Sequence, residues 1–408
     1  MAIEALYLHI PFCQSKCAYC DFDSVAACGL DDALAAQARY LNQLLARLDA
    51  FGAAGLLAGV CTVYIGGGTP SLLGERLVEL VRSVMHWCAP EEFTCEANPE
   101  SFTSSLALKL AHAGVTRISL GVQSLQDEEL KAVGRIHSAA QALDAIRCAR
   151  DAGLDVSCDL MCGLPFQTQD SWAKSVTRLI EAGPCHVSIY PLTVEDGTPL
   201  ASMVDSRRII LPDEDEQADE MELARRFLVD AGFAPYEVAS YALPGHACRH
   251  NIAYWTGVEY LGLGRSAASM LALDTFRMSS SLFSDMPVSD DAARMRVVQM
   301  DDVASAFEIE QLSSREAIAE DLMLACRMTR GIPQDLLFRA SALFGKQIVS
   351  DTCARAIGLG LATWVTSDGE HYFDTSSERE GLFPGALVPT KQGWLEGNEL
   401  FGLFWNLA

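Results

Sequence analysis

Leu6-Tyr7-Leu8-His9-Ile10-Pro11-Phe12-Cys13-Gln14-Ser15-Lys16-Cys17-Ala18-Tyr19-Cys20-Asp21-Phe22 is a short apolar run followed by a loop holding three cysteines. The run has the length of a buried strand, and Pro11 ends it. Thiolates are soft ligands that favour zinc or iron–sulfur clusters. With 14 cysteines in 408 residues, this three-cysteine spacing arises by chance only about 0.02 times, so it carries information. A structural zinc ion wants four closed ligands. Cys28 beyond the loop and His9 ahead of it are the nearby donors, and neither makes a convincing fourth. Three thiolates on one short loop instead suit a 4Fe–4S cluster with one iron left open.

Outward from that run, the next two hundred residues alternate apolar strands with amphipathic helices. Strands are expected at 6–10, 62–65, 93–96, 117–120, 155–160 and 186–190. Helices are expected at 32–51, 73–87, 104–113, 139–152 and 170–182, where apolar residues recur at three and four. Gly114 and Gly153 stand where helices should end. Repeated units of this kind imply a parallel sheet with right-handed crossovers. About six units suit a partial or complete barrel, with chemistry gathered at the C-terminal ends of the strands. Residues 191–212 read as irregular, followed by a helix at 213–231 and strand-like segments at 236–241 and 260–262. Helices are then expected at 315–328 and 340–358, and a hairpin at 364–373 turning at Asp368-Gly369. The expected fold is α/β, a partial (β/α)6-type barrel with a small, mostly helical C-terminal domain. The expected divisions are a core barrel at 1–200, an extension at 201–310 and a C-terminal domain at 311–408.

Acidic residues outnumber basic ones by 54 to 30, a net charge of −24. A field of that sign repels phosphate backbones and argues against nucleic acid as a partner. No apolar run is long enough for a membrane span, and the first residues lack the pattern of a signal peptide. A cytoplasmic location is expected, or one at the inner face of the membrane. Disulfides are not expected there. The scattered cysteines, Cys61, Cys88, Cys95, Cys148, Cys158, Cys185, Cys326 and Cys353, read as small buried hydrophobes.

Gly66-Gly67-Gly68-Thr69-Pro70-Ser71 follows the second strand. Glycines let a ligand approach the backbone closely, or simply make a tight turn. Four polar residues stand at or just past strand ends: Glu96, Gln123, Arg135 and Asp159. Taken singly each reads as a surface or capping group. A carboxylate can accept from ribose hydroxyls or an amino group, and arginine can pair bidentately with a carboxylate.

The cysteine loop with Tyr7, His9, Pro11, Phe12, Asp21 and Phe22 resembles the radical S-adenosylmethionine superfamily. More narrowly it is similar to the branch that holds oxygen-independent coproporphyrinogen III oxidases and haem chaperones. The resemblance runs over nearly the whole chain. It implies a radical S-adenosylmethionine barrel with a 4Fe–4S cluster on Cys13, Cys17 and Cys20. It also implies S-adenosylmethionine held by Gly67, Gly68, Thr69, Glu96, Gln123, Arg135 and Asp159, with Tyr7 and Tyr19 beside it and Cys162 a bystander. In Arg249-His250-Asn251-Ile252-Ala253-Tyr254-Trp255, the His-Asn-x-x-Tyr-Trp segment of the chaperone branch, His250 is the implied haem ligand, with Cys248 a competitor. Imidazole is a common axial ligand to haem.

Two functions follow from the resemblance. One is a chaperone that binds haem as cargo and passes it to a membrane haem protein, with a homodimer as the implied assembly. The other is an enzyme of porphyrin biosynthesis, an oxidoreductase that decarboxylates coproporphyrinogen III to protoporphyrinogen IX. The oxidase group carries a fourth cysteine two residues after the third, where this chain has Phe22, which favours the chaperone. Gly264-Arg265-Ser266-Ala267-Ala268-Ser269 departs from the Gly-Ala-His ending of relatives. That departure keeps a radical methylase or other tailoring enzyme as a third reading.

Overall fold

The computed structural model describes residues 3–27, 32–283, 286–366, 371–372 and 383–408. Six strands lie side by side in chain order: β1 (Ala5–Ile10), β2 (Thr62–Gly67), β3 (Glu92–Ala97), β4 (Arg117–Gln123), β5 (Asp155–Cys162) and β6 (His186–Pro191). Every neighbouring pair is parallel. The crossovers carry helices Ala33–Ala53, Glu75–Trp87, Ser104–Ala113, Ala139–Asp151 and Gln169–Ala182. Their caps follow the local chemistry. Ser138 forms a capping box with Gln141, and Gly114 closes its helix at φ 116°.

The sheet runs on past both ends of this set. Beyond β1 lie Tyr260–Leu263, Ala268–Ala272, Ala292–Gln299 and Phe307–Ser313; beyond β6 lie Ser240–Ala242 and Ala234–Pro235. Its two outermost strands do not pair, so the twelve-stranded sheet stays open. One hydrophobic core runs from Ile3 to Val297, and a second joins Ile318 to Phe404. The barrel and the segment after it therefore share one core. Among the described residues, no helix is long and apolar enough to cross a membrane.

Four local expectations are corrected. The irregular stretch 191–212 contains the helix Pro199–Asp205, started by a Thr198 side-chain cap and a proline in its first turn. The strand expected at 236–241 is instead split between Ala234–Pro235 and Ser240–Ala242. The helix expected at 340–358 is two helices, Gln334–Phe344 and Lys346–Gly358, parted by Gly345 at φ 96°. Cys61 is exposed and Cys148 and Cys185 are half-buried, so three of the scattered cysteines are not buried. Ala362–Val365 pairs antiparallel with His371–Tyr372. The Asp368-Gly369 turn and Cys28 lie outside the described residues.

Asp321 ties the two cores together. It accepts from both ends of the Arg294 guanidinium, at 2.9 Å from NH2, with only 7% of its own side chain exposed. Removing one partner of a buried pair strands the other charge. Asp321→Ala is expected to lower the unfolding free energy by about 3 kcal/mol, read by urea denaturation; a change within error would show that the pair contributes nothing.

Candidate functional site

β1 and β2 end together, and their ends are laced to the cysteine loop. Gly68 N donates to Ile10 O at 2.8 Å and Thr69 N to Phe12 O at 2.7 Å. The approach leaves no room for a side chain. A Cβ on Gly68 would lie 2.7 Å from Phe12 O. At Gly67, φ is 110° and a Cβ would strike the His9 ring at 2.5 Å. The loop is fixed elsewhere by Ala18 N to Val133 O, Leu200 N to Ala18 O, and Lys16 Nζ to Phe22 O.

Cys13, Cys17 and Cys20 are free and half-buried. They line one cavity of about 140 Å³ with Tyr19, Gly67, Gly68, Thr69, Glu96, Gln123, Arg135 and Asp159. Eleven of the thirteen residues singled out in the sequence thus meet in one place. A second chamber of about 310 Å³ continues from it into the barrel, sharing Tyr19, Phe22, Glu96, Ser119, Gln123 and Asp159. Its further lining mixes Thr94, Ser157 and Ser188 with Tyr64, Met161 and Tyr190.

The donor set fits a cluster better than a single ion. The three sulfurs are not all within 4.8 Å of one another. Thiolates at about 2.3 Å around one tetrahedral zinc would be under 4 Å apart. A larger iron–sulfur cubane takes thiolates set further apart than a single zinc does. Burial pushes the Cys13 and Cys20 thiols up, which a positively charged iron centre would reverse.

Glu96 accepts from Tyr64 Oη at 2.8 Å and from Gly67 N at 3.0 Å. Burial pushes its carboxyl up to about 7. Burial also raises Asp159 to about 6, against the pull of Ser188, Arg135 and Ser119. Gln123 reaches the cavity through an irregularity in the β4–β5 ladder, with its own φ at 64°. A non-glycine residue held there stores strain that the surrounding fold must maintain.

Arg135 lines the cavity and is held there by protein partners. Its NH2 group already donates to Asn98 Oδ1 at 2.9 Å and Gly121 O at 2.6 Å, and NH1 faces Cys17 Sγ at 3.5 Å. It thus sits beside one thiol of the cysteine loop. Asn98 was not singled out in the sequence, although it joins Thr69 Oγ1 (2.9 Å) to Arg135. Tyr64, which anchors Glu96, was also missed. Asn98-Pro99, just past a strand end, was the available signal for the first; nothing in the sequence marked the second.

Tyr7 and His250 line neither chamber. Tyr7 Oη bonds His9 Nδ1 at 2.9 Å. His250 is 1% exposed, bonded through Nδ1 to Thr62 Oγ1 at 3.1 Å and stacked on Tyr64 at 5.1 Å. Burial lowers its imidazole to about 3. Tyr7, Tyr64, His250 and Tyr254 form a chain of neighbouring rings, of which Tyr64 lines the larger chamber. Cys162 is fully buried and outside the lining of both chambers.

An open α/β sheet of this topology, ending in a three-cysteine loop over a polar cavity, defines a radical S-adenosylmethionine protein. The model of the Radical SAM superfamily matches residues 7–179. The chain is 40% identical to the heme chaperone HemW of Escherichia coli over 271 residues, covering 64% of this chain and 69% of that one. It is 36% identical to HemW of Mycobacterium tuberculosis over 351 residues, covering 85% and 87%. With HemW of Bacillus subtilis the match is 28% over 98% of this chain and 99% of the relative. The chain belongs to the HemW family. Coproporphyrinogen III oxidase (HemN) from Escherichia coli shares the fold, with a TM-score of 0.73 at 20% identity over 99% of this chain and 90% of that one.

Gly68→Ala is expected to hold several-fold less iron after anaerobic reconstitution with far-UV circular dichroism unchanged; full iron content would refute the lacing argument. For Glu96, a carboxyl raised in the fold lends stability that is full below its ordinary 4.5 and is lost as pH rises through about 7. Glu96→Gln is therefore expected to gain on the parent, by about 2 kcal/mol after allowing for water in the cavity, between about pH 5 and about pH 8. Urea unfolding of cluster-free protein across that range measures it, and parallel pH profiles would rule the shift out.

Proposed function

We propose that this chain is a haem chaperone: it binds haem, a 4Fe–4S cluster and S-adenosylmethionine, and hands the haem to an acceptor protein. The observation that carries the reading is the likeness to HemW proteins over 351 residues, well past the matched superfamily core. Phe22, 61% exposed beside the cluster loop where the oxidase group has a cysteine, agrees with it.

In this reading Cys13, Cys17 and Cys20 hold the cluster, which when reduced supplies a low-potential electron. Arg135 places positive charge beside Cys17 and offsets the thiolates. The Gly67–Thr69 backbone and Glu96 receive the amino group and methionine part of the cofactor. Gln123 and Asp159 face it from β4 and β5, and Tyr19 covers it. Glu96 and Asp159 accept hydrogen bonds best when ionised, so cofactor binding draws their protons off. The chamber walls keep bulk water away from the bound cofactor.

His250 is the candidate axial ligand for haem iron. Its Nε2 has no partner, and the helix Arg249–Trp255 would have to swing from Tyr64 to expose it. The acceptor is proposed to be a membrane haem protein, and the working form a homodimer in the cytoplasm or at the inner membrane face.

Anaerobically reconstituted protein incubated with coproporphyrinogen III, S-adenosylmethionine and a strong reductant is expected to yield no more protoporphyrinogen than a Cys17→Ala control. Turnover well above that control would make it a porphyrin-forming oxidase instead. The same protein is expected to bind haem with a defined Soret band that His250→Ala shifts or abolishes. An unchanged spectrum and stoichiometry would remove His250 as the ligand.

A further inference from the structure

A second group of metal-ligating side chains lies at the opposite end of the barrel from the cysteine loop. Asp155 is the first residue of β5, Cys185 stands one residue before β6, and His246 lies in the turn between Ser240–Ala242 and the helix Arg249–Trp255. One ligand atom from each comes within 4.8 Å of the other two. Asp155 Oδ2 and His246 Nδ1 are 2.9 Å apart.

The three backbone segments are pinned to one another. Asp155 N donates to Thr116 O at 2.9 Å, Cys185 N to Val156 O at 3.0 Å, Leu243 N to Cys185 O at 2.9 Å and His246 N to Leu243 O at 3.0 Å. The group is therefore set by the sheet rather than by flexible tails. The Asp155 and His246 side chains are 38% and 39% exposed, which gives an ion and a water molecule access.

Arg117 stands behind the group and at first sight opposes a cation. Its NH2 lies 3.5 Å from Asp155 Oδ2, 3.4 Å from Glu92 Oε2 and 2.9 Å from His246 O. Glu92 offsets the guanidinium charge, so Asp155 and a Cys185 thiolate remain to balance a divalent ion. Arg117 then acts as an outer support that orients the carboxylate and the His246 turn, as partners behind metal ligands commonly do.

We infer that Asp155, Cys185 and His246 form a binding site for a single zinc ion, separate from the cluster loop, with water as the fourth ligand. One sulfur, one imidazole nitrogen and one carboxylate oxygen are the donors that zinc takes, and three protein ligands plus water is a familiar arrangement for it. The thiolate argues against calcium and magnesium, which take oxygen ligands. Cys185 gives up its thiol proton to solvent as the ion enters. These sulfur, nitrogen and oxygen atoms come close enough for one ion, whereas the three cluster-loop sulfurs do not.

The test is equilibrium dialysis of the cluster-loaded protein, under anaerobic conditions, against zinc buffered by a competing chelator, with zinc and iron counted per chain. About one zinc is expected with iron content unchanged. Cys185→Ser and His246→Ala should each weaken zinc binding at least tenfold while iron content and circular dichroism hold. A triple Cys13→Ala, Cys17→Ala, Cys20→Ala variant should keep the zinc, which separates this site from zinc misloaded on the cluster loop. Cobalt as a probe in that triple variant should give a thiolate charge-transfer band that Cys185→Ser removes. No zinc beyond background, zinc held equally by Cys185→Ser and His246→Ala, or zinc lost only from the triple variant would each overturn the inference.

Discussion

The backbone contact between the glycine end of β2 and the cysteine loop is the constraint on which the site depends. Two hydrogen bonds, from Gly68 to Ile10 and from Thr69 to Phe12, bring two chain segments so close that a single methyl group would collide with a carbonyl. That closeness fixes the loop relative to the sheet. The carboxyls and the amide of the cavity are placed from the sheet: Glu96 on β3, Gln123 at the end of β4, Asp159 on β5. A displacement of the loop would therefore separate the thiols from Glu96, Gln123 and Asp159 at once.

The charges around that contact form a graded set. Arg135 sits next to Cys17, with Asn98 passing its orientation on to Thr69. Glu96 and Asp159, further in, are carboxyls whose burial brings their titration toward neutrality. Sites where neighbouring groups are held away from their ordinary protonation are commonly functional. The group around Asp155 at the other end of the barrel is different in kind, because its members are partly open to water and braced by Arg117.

Much of this was legible in the sequence. The six parallel strands were visible as short apolar runs, and five crossover helices as three–four periodicity with glycine or capping residues at their ends. The cysteine spacing and the glycine run were legible because they are local. What depends on tertiary approach was not. Asn98 gains its role from residues 29 positions before it and 37 after it. Tyr7 and His250 carry family-like motifs, yet their packing against Tyr64 arises from how β1, β2 and the Arg249–Trp255 helix meet. Arg135 was legible as a cavity residue, but its protein partners Asn98 and Gly121 were not, because they come from other segments of the chain. The Pro199–Asp205 helix, by contrast, starts on a local signal, a Thr198 cap followed by Pro199.

The unpaired outermost strands have a mechanical consequence. In a closed barrel, strand number and stagger fix the girth, like a hoop. This sheet is a hoop cut through, with Ala234–Pro235 at one lip and Phe307–Ser313 at the other. Its bore can widen or narrow by twist between neighbouring strands without one ladder hydrogen bond being broken. The girth is then set by what fills the middle, so a guest entering the inner chamber works against side-chain packing and sheet twist rather than against a closed ring of backbone bonds.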